Sequence, residues 1–367
     1  MRVCFLGLDN LPALAEEYGH LRVGGEQVQQ TLLAKALHGR GHTVTMIVMD
    51  YGQVDGASYH GIGTLKTFQE DDGLPIMRFI YPRWTKVWSA MKTADADIYY
   101  VSCAGMHLGL AAFFCRKYGR KLVFRVAHDS DCEPAALLIK YKRDKWLYEY
   151  GIRHADLILV QTTAQQRRLA DNYKRDGVIA HMLVELPSET VKRDIDVLWV
   201  NNMRPFKRPE VFLEIAKSLP GFSFNMIGGV QPGHEALFFE VQHAARQIPN
   251  LKFHGPVSYH QISSFYSGAR VFVNTSESEG FPNSFLQAWA RGTPVISFFD
   301  PDSTITNYEL GIAPVSLSNM IDAIQLVLND TDAWYKFSAN ATRFVAERFC
   351  EDEIVAPYVD HFEELLR

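Results

Sequence analysis

The sequence predicts an α/β protein built from two doubly wound parallel sheets in series. Short apolar runs alternate with stretches of helical periodicity along most of the chain, the pattern of parallel strands joined by covering helices. The alternation breaks once, at 184–196, where Pro187, Ser188, Glu189 and then Lys192-Arg193-Asp194 carry no apolar period. The 367 residues are too many for one ordinary core and suit two.

In the first half the strands are expected at 2–7, 43–49, 98–102, 122–127 and 157–161. The clearest helix is 26–40, with Val28, Leu32, Leu33, Ala36 and Leu37 on one face and Gly41 as its stop. Further helices are expected at 107–118 and 136–154. After the break, strands at 197–200, 223–227, 251–254, 271–274 and 294–298 alternate with helices at 209–218, 235–246, 259–266 and 284–291. The amphipathic end, 354–366, is expected to pack back on the first domain. The expected division is therefore 1–187, 188–347 and a terminal helix within 348–367. Two such domains facing each other would set the C-terminal ends of two parallel sheets across a cleft, where α/β sheets bind ligands.

Charge and composition exclude several classes. Lys plus Arg is 37 against 42 for Asp plus Glu, a net charge of −5, which argues against a protein that grips nucleic acid through its phosphates. Residues 1–185 hold 23 basic and 20 acidic side chains, leaving 14 and 22 for 186–367. The five cysteines form no CxxC pair and suggest neither a zinc ribbon nor a disulfide framework. The start, Met1 to Gly7, reads as a buried strand rather than a signal peptide, and no apolar run approaches the ~18 residues of a membrane span; a cytoplasmic protein is expected. Thirteen His include no HExxH, and His38 and His42 are separated by Gly39 and Gly41, so no metal site is expected. No GxGxxG follows the first strand and no GxxxxGK[ST] occurs, which weighs against nicotinamide dehydrogenases and P-loop ATPases.

Four segments carry chemistry. Ser276 to Ile296 follows a strand, bends at Gly280 and Pro282, and opens a helix ending at Gly292, with Gly280 and Phe281 expected among the donor contacts. The backbone N–H groups of Asn283 and Ser284 at that helix start would meet a diphosphate. Glu279 beside them suits sugar hydroxyls, and Gln287, one turn inside, suits a ribose. The second segment, Val197 to Glu210, places Arg204, Lys207 and Arg208 directly after a strand, where cations can stabilise a departing diphosphate without a metal. The third ends an apolar strand at His128, followed by Asp129 and Asp131, which are read as caps of the next helix. The fourth is Gly24-Gly25-Glu26, whose paired glycines permit close backbone approach to a ligand.

Together these segments resemble the retaining GT-B glycosyltransferases, especially those of family four. Glu279 and Gln287 stand where that family has its Glu-x7-Glu, the second Glu being Gln here. Lys207 matches the phosphate-binding Lys of the turn; the Arg position is Asn202 by strict spacing, with Arg204 on the other side of the turn. His128 resembles the strand-end His that contacts donor sugar and transition state, and Gly24, Gly25 and Glu26 the loop that faces donor or acceptor. Gly228-Gly229 resembles the glycine turn near the nucleotide, and Gly255-Pro256-Val257 the loop that holds the base.

The resemblance implies two Rossmann-like domains. It also implies a retaining, metal-independent enzyme with no cofactor beyond its nucleoside-diphosphate-sugar donor. The acceptor would be a saccharide or lipid-linked hydroxyl in polysaccharide or lipid-linked glycan assembly. A sugar-nucleotide epimerase on the same fold and a catalytically silent nucleotide-sugar-binding protein are the alternatives. The basic and aromatic run Ile139 to Tyr148, with Arg116, Lys117, Arg120 and Lys121, would also suit peripheral contact with an anionic membrane.

Overall fold

The computed structural model describes residues 1–74, 77–187, 192–277, 279 and 281–367. The chain divides into two compact units: Met1–Tyr18, Gly25–Leu183 and Glu351–Arg367 form the first, Gly19–Gly24 and Val184–Cys350 the second.

The first unit holds an eight-stranded sheet of β1 (Arg2–Leu6), β2 (Thr43–Val48), β3 (Ser58–Tyr59), β4 (Ile62–Lys66), β5 (Ile98–Ser102), β6 (Lys121–Arg125), β7 (Leu157–Val160) and β8 (Val178–Ile179). Their order is β3-β4-β2-β1-β5-β6-β7-β8, parallel except for the β3–β4 hairpin. Val3, Cys4, Phe5 and Leu6 are all buried, as expected of a central strand covered on both faces. The chain runs outward from β1 through β2, then returns to lay β5 on the other side of β1. The switch point, where open α/β sheets take ligands, thus lies between β1 and β5.

The second unit holds β9 (Ile195–Val200), β10 (Phe224–Ile227), β11 (Leu251–Gly255), β12 (Ala269–Asn274), β13 (Val295–Ser297) and β14 (Gly311–Ile312), in the order β11-β10-β9-β12-β13-β14. Every pairing is parallel. Its switch point lies between β9 and β12. Trp199 on β9 and Trp289 on helix Asn283–Trp289 are fully buried and anchor this core.

Several boundaries differ from the sequence reading, each for a local reason. The helix expected at 136–154 starts at Lys142. Ahead of it Leu137 and Ile139 pack against the core while Leu138 between them is exposed, a period-two alternation of extended chain. The first unit ends at Leu183 because Gln29 Nε2 donates to the Leu183 carbonyl at 2.8 Å and the Leu183 N–H donates to Gln29 Oε1 at 2.8 Å. The second unit extends to Cys350, with Phe349 packed on Phe281 and Phe344 at ring distances of 6.2 and 5.5 Å. Gly24, expected in the first domain, clusters with the second unit. The β3–β4 hairpin was not expected: its strand Ile-Gly-Thr-Leu-Lys is weakly apolar, and its turn rests on His60 and Gly61 at φ 52° and 79°.

Helix Glu351–Leu366 belongs to the first unit, packing on helix Gly25–Gly39. Its Phe362 is buried with its ring 6.4 Å from that of Tyr100. No helix among the described residues is long and apolar enough to cross a membrane.

Candidate functional site

The second unit brings Lys207 and Glu279 together at its switch point. Lys207 lies in a 3₁₀ turn, Pro205–Lys207, just beyond β9, and Glu279 lies in the loop beyond β12. Lys207 Nζ sits 2.6 Å from Glu279 Oε2, with the two side chains 12% and 14% exposed. The other carboxylate oxygen, Oε1, accepts from Ser276 Oγ at 2.6 Å and from Asn274 Nδ2 at 3.1 Å. Burial alone would lift this carboxyl, but the Lys207 charge and the hydrogen bonds from Lys207, Ser276 and Asn274 hold it below the usual range.

Hydrogen bonds join the two loops. Thr275 Oγ1 donates to the Lys207 carbonyl at 2.7 Å and accepts from Trp199 Nε1 at 3.0 Å; the Glu277 N–H donates to the Phe206 carbonyl at 3.0 Å. Asn274 also takes the Ser276 N–H on Oδ1 at 2.7 Å. The ion pair is thus held from both strand ends. Asn274, Thr275 and Ser276 are not among the sequence candidates, although an Asn closing the apolar run Val271–Val273 is a sign the sequence carries, and the structure buries it fully.

The neighbouring residues fall in less uniform roles. Asn283 and Ser284 start helix Asn283–Trp289, whose N-cap, Pro282, makes no side-chain cap hydrogen bond. Gly280 lies outside the described residues. The Phe281 ring packs on Trp289 at 6.2 Å. Gln287 Oε1 accepts from Arg291 Nη1 at 2.9 Å, and Arg291 Nη2 donates to Ser263 Oγ at 2.7 Å; Gln287 is therefore engaged by a residue just past the end of its helix. Arg204 is half-buried at the head of the 3₁₀ turn, and its carbonyl accepts from the Lys207 N–H at 3.0 Å. Arg208 lies 3.9 Å from both Glu210 and Glu277.

The glycine turn after β10 has its own cause. A Cβ on Gly228 would stand 2.4 Å from the Asn201 carbonyl oxygen and 2.7 Å from Met203 Cε, whereas one on Gly229 would meet Pro256 Cβ at an ordinary 3.4 Å. Gly228 is required by the protein's own chain. Val257 is half-buried in the loop after β11, next to a Gly255 at φ 69°.

The first unit places Glu26 at its switch point. Glu26 is the second residue of helix Gly25–Gly39, and Ser102, the last of β5, donates to it at 2.5 Å. Arg125, 2% exposed at the end of β6, stands 3.8 Å away, and donates through Nη1 to Tyr358 Oη of helix Glu351–Leu366. Tyr358 in turn donates to the His181 carbonyl at 2.9 Å. Burial raises the Glu26 carboxyl against the opposing pull of Arg125 and Ser102. Arg125 was not selected from sequence; a cation inside an apolar strand was its signal.

His128 is itself the N-cap of the 3₁₀ turn Asp129–Cys132. Nδ1 accepts from the Ser130 N–H at 3.1 Å, which leaves the proton of a neutral ring on Nε2. Asp131 completes a capping box through the Ala127 and His128 N–H groups, each at 3.0 Å. Asp129 does not cap; it pairs with Arg168 at 2.7 Å and accepts from Gln165 at 3.0 Å. Among the described residues no group of three or more His, Cys, Asp or Glu side chains is placed to hold a metal ion.

Comparison with known proteins adds the following. Residues 187–344 match the family described as glycosyl transferases group 1, and residues 23–181 that described as Glycosyltransferase Family 4. Over 251 residues the chain is 23% identical to the UDP-N-acetylglucosamine–peptide N-acetylglucosaminyltransferase GtfA subunit of Streptococcus pneumoniae serotype 4; this covers 60% of the chain and 48% of the relative. The chain thus spans about half the length of that relative. Among solved structures, sucrose-phosphate synthase from Thermosynechococcus elongatus aligns with a TM-score of 0.78 at 15% identity, covering 99% of this chain and 98% of that one. HepE of Anabaena, in complex with UDP and glucose, aligns with a TM-score of 0.74 at 14% identity, covering 99% and 100%. At such identities the likeness is one of fold.

Proposed function

This chain belongs to the group 1 glycosyltransferases and has the GT-B fold, and from that premise we propose that it transfers a hexose from a UDP-sugar to an acceptor hydroxyl with retention of configuration. The observation that carries this reading is the Lys207–Glu279 pair at the switch point of the second sheet. A half-buried cation and a half-buried carboxylate, the latter four residues ahead of a helix start, supply charge for a diphosphate and an acceptor for sugar hydroxyls. The choice of UDP follows HepE, which holds UDP and glucose, and the pneumococcal relative, whose name specifies UDP-N-acetylglucosamine.

In this reading Lys207 exchanges Glu279 for the donor diphosphate, assisted by Arg204 and the Asn283 and Ser284 amides. Glu279, held by Asn274 and Ser276, then orients the sugar. The bond from the anomeric carbon to the phosphate oxygen breaks and a bond from the same carbon to the acceptor oxygen forms on the same face. The acceptor proton goes to the departing phosphate oxygen. His128 Nε2–H and Glu26 are assigned to the sugar and acceptor side. No carboxylate pair is assigned to a double displacement, and no metal is needed where Lys207 supplies the charge. The acceptor is proposed to be a saccharide or lipid-linked hydroxyl in glycan assembly.

The test is a transfer assay over a panel of nucleotide sugars with EDTA present, run against Lys207→Ala and with anomeric analysis of the product. Retained product formed in EDTA and abolished by Lys207→Ala is expected. Inverted product, strict dependence on added metal, or full turnover by the variant contradicts the proposal. An epimerised donor formed without acceptor would point to the epimerase reading.

A further inference from the structure

Three neighbouring helices of the first unit form a face that the proposed chemistry does not use. Helix Thr85–Ala94 carries Lys86 and Lys92 and no acid; helix Met106–Tyr118 carries Arg116 and Lys117 and no acid. Helix Lys142–His154 carries four cations against Asp144 and Glu149. Eight cations thus meet two acids, although residues 1–185 as a whole hold 23 against 20. Both acids are already paired on their own helix, Asp144 with Arg143 at 2.8 Å and Glu149 with Arg153 at 3.7 Å.

A continuous chain of rings runs across the same helices. Trp84, just ahead of the first, lies 6.3 Å from Trp88 and 6.2 Å from Phe113. Phe113 lies 4.2 Å from Tyr150 and 6.3 Å from Trp146. None of these rings is fully buried, and Trp146 is 55% exposed. Lysines rest on the ladder, Lys117 Nζ 5.9 Å from the Trp88 ring and Lys92 Nζ 5.6 Å from that of Tyr118. Leu138 and Tyr141, just before the third helix, are 73% and 57% exposed.

We propose that this face docks on an anionic lipid bilayer. Aromatic rings with flanking lysines are the composition of the membrane–water boundary, where a ring sits at headgroup depth and its lysine stem reaches the phosphates. The cation excess selects an anionic surface. It also argues against a second copy of the chain, since a two-fold contact would set the same cations against each other. The second half, with 14 basic and 22 acidic side chains, has no such excess.

The inference is independent of the transfer reaction and is tested without it. The intact protein is floated with vesicles of phosphatidylcholine alone and of phosphatidylcholine containing about one part in three phosphatidylglycerol. It is expected to float with the second only and to be released by salt. Lys117→Glu with Lys142→Glu, and separately Trp146→Ser, should each weaken flotation at least about tenfold while leaving the melting transition in place. Failure to float with anionic vesicles, salt-independent flotation with both kinds, or wild-type flotation by both variants overturns the proposal. A lipid-independent dimer abolished by Trp146→Ser overturns it in favour of a second copy.

Discussion

Lys207 and Glu279, 72 residues apart in sequence, form one ion pair of 2.6 Å between the loops that follow β9 and β12. The carboxylate beside it neutralises the cation, and on the proposed reading a donor diphosphate competes with Glu279 for Lys207. The pairing itself is measurable through pH. The Glu279 carboxyl is held below its ordinary value of 4.5 despite burial, by Lys207 first and then by Ser276 and Asn274. A lowered carboxyl contributes stability that is present above the unfolded value and lost as pH falls through the folded one. In Lys207→Met, burial acts with only the hydrogen bonds from Ser276 and Asn274 against it and raises the carboxyl, so stability should fall as pH rises. Thermal melts from about pH 3 to 8 should show the wild type losing this group's contribution only as pH falls below the ordinary 4.5 and the variant losing stability as pH rises above it, with a neutral-pH loss of about 3 kcal/mol in the variant. Parallel curves would contradict the pairing.

Asn274 should matter through Glu279. Its amide holds Oε1 at 3.1 Å and its carbonyl takes the Ser276 N–H at 2.7 Å. Asn274→Ala should cost about 1–3 kcal/mol by leaving the Ser276 N–H buried without its partner, and kcat should fall more than UDP affinity does. Asn274→Asp keeps the Ser276 acceptor but places a second carboxylate beside Glu279, so it should restore part of the stability and none of the kcat. Steady-state kinetics with calorimetric UDP binding separates the two effects.

The two glycines after β10 should respond differently. Gly228→Ala forces its methyl against the Asn201 carbonyl at 2.4 Å, while Gly229→Ala meets Pro256 at 3.4 Å. The first should destabilise the second unit by roughly 1–3 kcal/mol through overpacking against backbone; the second should be near neutral. Denaturant melts of the two variants test this, and equal stabilities would show that the contact is relieved cheaply.

Tyr358 ties helix Glu351–Leu366 into the first unit. Tyr358→Phe removes a donor to the His181 carbonyl and an acceptor for Arg125, which is 2% exposed. A loss of about 1–3 kcal/mol is expected, with faster proteolysis of this helix.

Most of the fold was legible because parallel strands buried on both faces are near-continuous apolar runs, as Val3 to Leu6 and Val271 to Val273 are. Edge elements were not: β8 and β14 are two residues each, too short for any period to appear. At the site, spacing and charge exposed Lys207 and Glu279 because both lie just past apolar strands. The groups that hold them, Asn274, Ser276 and Thr275, are small polar residues whose importance comes from contacts made across the sheet. Likewise, nothing local to Asp129 could reveal Arg168 as its partner, or that His128 would serve as the cap.

The central claim is that a nucleoside diphosphate is held by Lys207 at the switch point of the second sheet. It is tested most directly by the change in melting temperature on adding UDP to the wild-type protein and to Lys207→Ala, each against its own ligand-free melt. A clear rise is expected for wild type, following the mass-action stabilisation of a bound ligand, and little or none for the variant. No rise with any nucleoside diphosphate, or an equal rise in both proteins, would contradict the account.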